Sequence, residues 1–78
     1  MSAPLAPAPM RPPQLPVKLL FATCRAVERG PDGLYWMWHF YKGHPIDEAP
    51  AYFGESRAEV NRRLQDDPTD GPVYVVPE

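Results

Sequence analysis

The sequence predicts a small α+β protein: an antiparallel sheet built on a long β-hairpin, with one helix packed on one face and the element order β-β-(β)-α-β. Three observations lead to this prediction. A turn sequence at residues 30–33 separates two strand-like runs, a capping sequence at Ser56 opens a short helix, and an apolar run at residues 73–76 is bracketed by prolines. A chain of 78 residues allows one domain with a modest core.

The hairpin is predicted within residues 19–42. Pro31 suits the second position of a type I turn, Asp32 the third, and Gly33 a left-handed residue that forms a bulge, so a three-residue loop joins the strands. Pairing Gly30 with Leu34 then fixes the register. One face pairs Glu28 with Trp36, Ala26 with Trp38 and Cys24 with Phe40, and the other pairs Arg29 with Tyr35, Val27 with Met37, Arg25 with His39 and Thr23 with Tyr41.

The two faces of this hairpin differ in character. Small residues oppose large rings on the first face, which suits a packed core. We therefore expect Trp36, Trp38 and Phe40 to lie under the helix. The second face is polar and aromatic, and we expect it to be open to solvent or to a partner.

A short third strand and one helix follow the hairpin. The third strand is expected at Ala51 to Phe53, between Pro50 and Gly54. Ser56 and Glu59 have capping-box spacing, in which the Ser56 hydroxyl accepts from the Glu59 amide and the Glu59 carboxylate accepts from the Ser56 amide. The helix is expected to end before Pro68, after about ten residues.

The last strand and the first sixteen residues are both marked by proline. Val73 to Val76 is expected to be an edge strand, because flanking prolines lack the donor that a central strand needs. Residues 1–16 are expected to be a flexible, disordered Pro-rich tail, and residues 17–78 the domain. Pro13 to Lys18 fits the Pro-x-x-Pro-x-basic pattern, so the tail is either a docking strip for SH3-like grooves or a solvated tether.

Composition indicates a cytoplasmic protein. The one cysteine, Cys24, has no partner for an internal disulfide, and prolines interrupt every candidate signal peptide or membrane span near the N-terminus. The net charge of −2 is uneven, with a mildly basic hairpin and an acidic stretch from Pro45 onward. This distribution lacks the dense positive field of a dedicated nucleic-acid binder.

The residues with catalytic potential do not form a recognisable site. Cys24 and His39 fall on opposite faces of the hairpin, so they are not expected to act as a thiol and its base. His39, His44, Asp47 and Glu48 match no metal-ligand spacing. We expect no enzymatic activity, no cofactor and no metal.

The second face of the hairpin is the candidate site. It combines Tyr, Met and Arg side chains, which are enriched at protein interfaces. We predict a non-enzymatic protein-binding module, an accessory subunit or a small inhibitor, that uses this face or an edge of its sheet to bind a larger protein. The predicted partner-binding residues are Arg25, Arg29, Tyr35, Met37, His39 and Tyr41.

A nucleic-acid-binding function is the alternative. Arg25, Arg29, Tyr35, His39 and Tyr41 supply phosphate donors and stacking rings, which sheet-based readers use. The order of hairpin, short strand and capped helix over Val17 to Asp67 resembles, in topology alone, the arm-binding and AP2-type DNA-binding domains and equally the HicB-like and double-stranded-RNA-binding folds. What this resemblance implies is a nucleic-acid contact through the sheet.

Overall fold

A long antiparallel hairpin forms the centre of the sheet in the computed structural model, which describes residues 11–67 and 71–78. Its strands are β1 (Thr23–Arg29) and β2 (Tyr35–Tyr41). The Gly30 amide donates to the Leu34 carbonyl at 2.7 Å, and Gly33 has φ +85°, as the bulged turn requires. The predicted register is confirmed at every pair from Thr23 and Tyr41 to Arg29 and Tyr35.

The remaining elements complete a five-stranded sheet with one α-helix. They are a 3₁₀ helix (Val17–Leu19), β3 (His44–Pro45), β4 (Ala51–Gly54), α1 (Arg57–Asp66) and β5 (Val73–Val75). The strand order is β3-β2-β1-β5, and β4 pairs with the other half of the β2 edge. The small α+β fold with a central hairpin is confirmed, and so are the brief strand after Pro50 and the edge position of β5.

The sheet is mixed, which corrects the prediction of an antiparallel sheet. β5 runs parallel to β1, with Arg25 opposite Val73 and Val27 opposite Val75. The chain passes through β2, β3, β4 and α1 between these two neighbours, and this path sets the direction of β5. The sequence of a three-residue strand does not indicate whether the strand pairs parallel or antiparallel to its neighbour.

The strand β3 was not predicted. Lys42 and Gly43 join it to β2 with φ of +50° and +84°, and two successive positive φ values are typical of a type I′ hairpin turn. Glycine adopts this conformation readily, whereas lysine rarely does, so the Lys-Gly pair is a weaker signal than Asn-Gly. The Ile46 amide continues the pairing by donating to the His39 carbonyl at 2.9 Å.

The helix begins at a capped end, as the sequence predicts. The Ser56 hydroxyl accepts from the Glu59 amide at 3.1 Å. The Glu59 carboxylate accepts from the amide of Glu55, at 3.0 Å, rather than from that of Ser56. Glu59 also binds Arg63, and these two contacts hold the pKa of the Glu59 carboxyl below its usual value. Pro68, the predicted helix stop, lies outside the described residues.

The helix packs on the opposite face of the hairpin from the one predicted. Val60 of α1 is fully buried against Val27, Tyr35 and Met37, with Leu64 and Phe53 beside them. The interpretation of this face as open was wrong over the half nearest the turn. Both faces of β2 carry large apolar side chains, so size alone did not identify the face that receives the helix.

The face that carries Trp38 is covered by the segment that precedes β1. Leu15 is buried there against Cys24, Ala26, Trp38 and Phe40. Leu19, Leu20 and Tyr74, all partly buried, complete this cluster. The packed domain therefore begins by Leu15, two residues before the predicted boundary. Most of the predicted tail, residues 1–10, lies outside the described residues.

No helix within residues 11–67 and 71–78 combines the length and the apolar character needed to cross a membrane.

Candidate functional site

The six predicted partner-binding residues separate into three locations. Arg25, His39 and Tyr41 lie at the end of the sheet away from the turn, where α1 no longer covers it. Arg29 and Tyr35 lie near the turn, beside Glu78. Met37 lies between these two groups, in the core.

Tyr35 and Met37 are core residues, which corrects the expectation that they face a partner. They are 6% and 5% exposed, and both pack against Val60 of the helix. Folding buries their aromatic and thioether surfaces. Tyr35 keeps one polar contact at the surface, because its hydroxyl donates to the Glu78 carboxylate at 2.7 Å.

A small cleft lies on the half of this face that the helix leaves open. Its volume is about 140 Å³. Ile46 forms one side of it, because this residue follows β3 and comes opposite His39. The loop into β5 forms another side. The lining residues are Thr23, Cys24, Arg25, His39, Phe40, Ile46, Gly71 and Pro72.

Two side-chain contacts hold the walls of the cleft. Arg25 is paired with Asp67, the residue that ends α1, so the last turn of the helix is tied to β1. Asp47 accepts from the His39 backbone amide at 2.9 Å, and its carboxylate lies 3.0 Å from His39 Nδ1. Asp47 thus takes the place of a strand carbonyl beside β2 and fixes the loop that carries Ile46.

Exposed apolar side chains occur at this same end of the hairpin. Ile46 is 63% exposed and Tyr41 is 54% exposed. Phe21, which immediately precedes the last rung between Ala22 and Lys42, is 84% exposed. Large apolar residues exposed near an apolar cleft are typical of an interaction site rather than of a solvated surface.

A second cluster holds a carboxylate at the turn end of the sheet. Glu78 lies 3.0 Å from Arg29 Nη1 and 4.0 Å from Arg57 Nη1, and it accepts from the Tyr35 hydroxyl. The Tyr35 hydrogen bond and Arg29 hold the pKa of the Glu78 carboxyl below its usual value. The same hydrogen bond raises the pKa of Tyr35, which remains a donor.

The described residues offer no nucleophile with an adjacent base. Cys24 is buried beside Trp38 and Phe40, and burial raises the pKa of its thiol, which disfavours the reactive thiolate. His39 lies on the other face with Asp47. Within the described part of the chain, no three His, Cys, Asp or Glu side chains gather as a metal site would require.

Sequence reasoning missed several residues of these clusters, among them Ile46, Arg57 and Glu78. Ile46 is an isolated apolar residue in a proline-bounded acidic loop, and the one local signal for its position is the Lys42-Gly43 turn that returns the chain beside β2. Glu78 has no local signal. Its position depends on the parallel pairing of β5 with β1.

Comparisons with protein-family models, with curated proteins and with solved structures give no match to this chain.

Proposed function

We propose that this protein is a non-enzymatic protein-binding module that takes an apolar side chain of a larger protein into the cleft beside Ile46. The observation that supports this most strongly is the coincidence of an apolar cleft with the exposed side chains of Phe21, Tyr41 and Ile46 at one end of the hairpin. Arg25 and His39, two of the predicted binding residues, line the same cleft.

The size of the cleft is appropriate for one side chain. An apolar cavity of about 150 Å³ accommodates a benzene molecule, and this cleft has a volume of about 140 Å³. One large aliphatic or aromatic residue of the partner therefore fills it. Tyr41 and Phe21 are exposed at the same end of the hairpin, and tyrosine is among the residue types that contribute most to protein interfaces.

An accessory subunit or a small inhibitor would act in this way, by occupying a surface on a larger protein. A cytoplasmic location is part of the proposal, because the one cysteine of the chain is a buried thiol without a disulfide partner. The alternative, a nucleic-acid-binding face, would need Arg25 and Arg29 for phosphates. The Arg25 guanidinium is paired with Asp67, and Arg29 lies at the turn end of β1 beside Glu78, so the two arginines do not form one basic cluster.

The experiment is a selection of peptides from a displayed random library against the native protein. We expect the selected peptides to share one large apolar residue. Ile46→Glu should weaken their binding at least tenfold, because it places a charge at the mouth of an apolar cleft. Binding of a synthetic selected peptide is measured by titration calorimetry, and folding of each variant by circular dichroism.

Ala58→Glu is the matched control. It adds the same charge on an exposed position of the first turn of α1, whereas the cleft lies beyond the last turn. The control should bind the peptide as the native protein does. Equal binding by Ile46→Glu, or a selection that yields no peptide, contradicts the proposed site. Retention on immobilised DNA or RNA with elution by increasing salt would support the nucleic-acid alternative instead.

A further inference from the structure

Three elements direct donors at one carboxylate at the turn end of the sheet. The Tyr35 hydroxyl comes from β2, the Arg29 guanidinium from the end of β1, and the Arg57 guanidinium from the start of α1. Glu78 Oε1 faces Arg29, and Glu78 Oε2 faces Tyr35 and Arg57. Donors that divide between two oxygens in this way fit the planar, two-oxygen shape of a carboxylate.

The donors are not saturated by Glu78. Each guanidinium carries five N–H groups. Arg29 makes one hydrogen bond to Glu78, and Arg57 approaches Glu78 no closer than 4.0 Å, while its Nε donates weakly to Asn61 at 3.5 Å. Both side chains are about half exposed. A ligand with more than one carboxylate would therefore find donors that the resident Glu78 leaves to water.

The space beside Glu78 admits such a ligand. A depression of about 510 Å³ lies between the hairpin turn and the residues that follow β5. Glu28, Arg29, Gly30, Pro31 and Gly33 line its hairpin side, and Val76, Pro77 and Glu78 line the other. Arg29 is the one proposed donor that lines the depression, and Tyr35 and Arg57 contact Glu78 from outside it. At Gly33 an added side chain would meet only Arg29, so the turn backbone is open there, whereas Gly30 is buried beside Trp36.

The cluster favours an anion. Arg29 and Arg57 place two positive charges around one carboxylate, and the hydroxyl of Tyr35 is held as a donor. The lowered pKa of the Glu78 carboxyl is the expected result of this environment. Any other carboxylate in the same position gains the same stabilisation.

We propose that Tyr35, Arg29 and Arg57 form a binding site for an acidic peptide segment of another protein, and that Glu78 occupies this site as a displaceable internal ligand. The site lies at the opposite end of the hairpin from the Ile46 cleft, and it does not depend on the function proposed for that cleft. Glu78 lowers the apparent affinity of the site by competing for it. An external ligand binds the fraction of molecules in which Glu78 is undocked.

The test compares the native protein with Glu78→Gln. The probe is the peptide acetyl-Glu-Glu-Glu-amide, followed by the amide signal of Tyr35 and the Nε–H signal of Arg29 in ¹H–¹⁵N spectra. If Glu78 is docked in nine molecules out of ten, removing its charge should tighten probe binding about tenfold. Glu55→Gln, which removes an exposed acidic group before the helix, should bind the probe as the native protein does.

A neutral peptide and two further variants distinguish the possible results of this test. The neutral peptide acetyl-Gln-Gln-Gln-amide should not bind, and Arg29→Gln combined with Glu78→Gln should abolish binding of the acidic probe. Glu78→Ala repeats the test with a second substitution. Equal affinities for the native protein and both Glu78 variants would overturn the proposal. Inorganic phosphate that saturates the same signals at lower concentration than the acidic peptide would overturn the assignment of a carboxylate ligand.

Discussion

Glu28 is a half-buried carboxylate on β1, opposite Trp36. No described residue forms an ion pair or a side-chain hydrogen bond with it. Burial therefore raises the pKa of the Glu28 carboxyl, because the charged form loses water without gaining a partner. Its ionisation opposes folding, and the sign of this effect can be tested by removing the charge.

Glu28→Gln should raise the thermal unfolding midpoint at pH 7. A carboxyl whose pKa is higher in the folded than in the unfolded protein destabilises the fold above both values, and this penalty disappears as the pH falls below them. The difference between variant and native protein should therefore shrink towards zero near pH 3. Calorimetric unfolding at pH 7 and pH 3 measures it.

Glu48→Gln is the control for this prediction, because Glu48 is exposed in the loop before β4. Its substitution should change the free energy of unfolding by no more than about 0.5 kcal/mol, the range of ordinary surface substitutions. Glu59 and Glu78 lose their favourable contacts as the pH falls through their lowered pKa values. That loss is common to all three proteins and cancels in the comparison. A lower midpoint for Glu28→Gln at pH 7 would contradict the assigned sign.

At the scale of elements, local side-chain contacts stabilise the start of α1 and the hairpin loop. The Ser56 hydroxyl satisfies an amide that the first turn of α1 would otherwise leave without a partner. Asp32 does the same in the hairpin loop, where its carboxylate accepts from the Leu34 amide at 3.0 Å. Both residues were identified from sequence because the group they satisfy lies within three positions of them.

Ser56→Ala should destabilise the protein by about 1 kcal/mol, the usual cost of losing an N-cap side chain. The midpoint of urea unfolding measures the change. Ser56→Asp keeps an acceptor in the same position and should retain most of the stability. An Ala variant as stable as the native protein would show that the cap contributes nothing to folding.

The edge strand β5 shows how proline protects a sheet. The Pro72 carbonyl and the Val76 amide bond to β1. Because strand groups alternate, the backbones of Val73, Val75 and Pro77 face outward. Pro77 lacks an N–H among these outward-facing backbone groups. It therefore hinders another chain from pairing with the edge of the sheet.

The sequence was sufficient for the local features of the fold and insufficient for those that depend on distant contacts. Residues 30–34 specify the loop and thereby the register of β1 and β2. Both faces of β2 are apolar, so either could have packed against Val60 of α1 or against Leu15. Only these distant contacts decide which face the helix covers. Of the predicted binding residues, Tyr35 and Met37 therefore belong to the core, whereas Arg25 and His39 line the cleft.

At the scale of the whole molecule, two small cores lie on opposite sides of one sheet. Val27, Tyr35, Met37 and Val60 form the first. The second includes Trp38, whose indole N–H is buried without a hydrogen-bond partner among the described residues. The covering layer of this second core is the segment around Leu15, which the sequence assigned to a flexible tail.

Leu15→Ala should destabilise the protein by about 2 to 5 kcal/mol, as expected for truncating a buried leucine. The reason is the loss of contact with Trp38 and Phe40 and the cavity that remains. Urea unfolding measures the loss. Leu15→Met, which conserves volume, should cost less than about 1.5 kcal/mol. If Leu15→Ala left the free energy of unfolding unchanged, Leu15 would not belong to the packed domain, and the predicted boundary at Val17 would stand.

The parallel pairing of β1 with β5 also determines when the sheet can be completed. β1 emerges early in synthesis, whereas its second neighbour is the last strand of the sheet. Until Val73–Val75 is made, one side of β1 presents unpaired backbone groups, and closing the gap joins residues far apart in the chain, which slows folding. The nascent protein is therefore most exposed to aggregation after its hairpin has formed and before its final strand has left the ribosome.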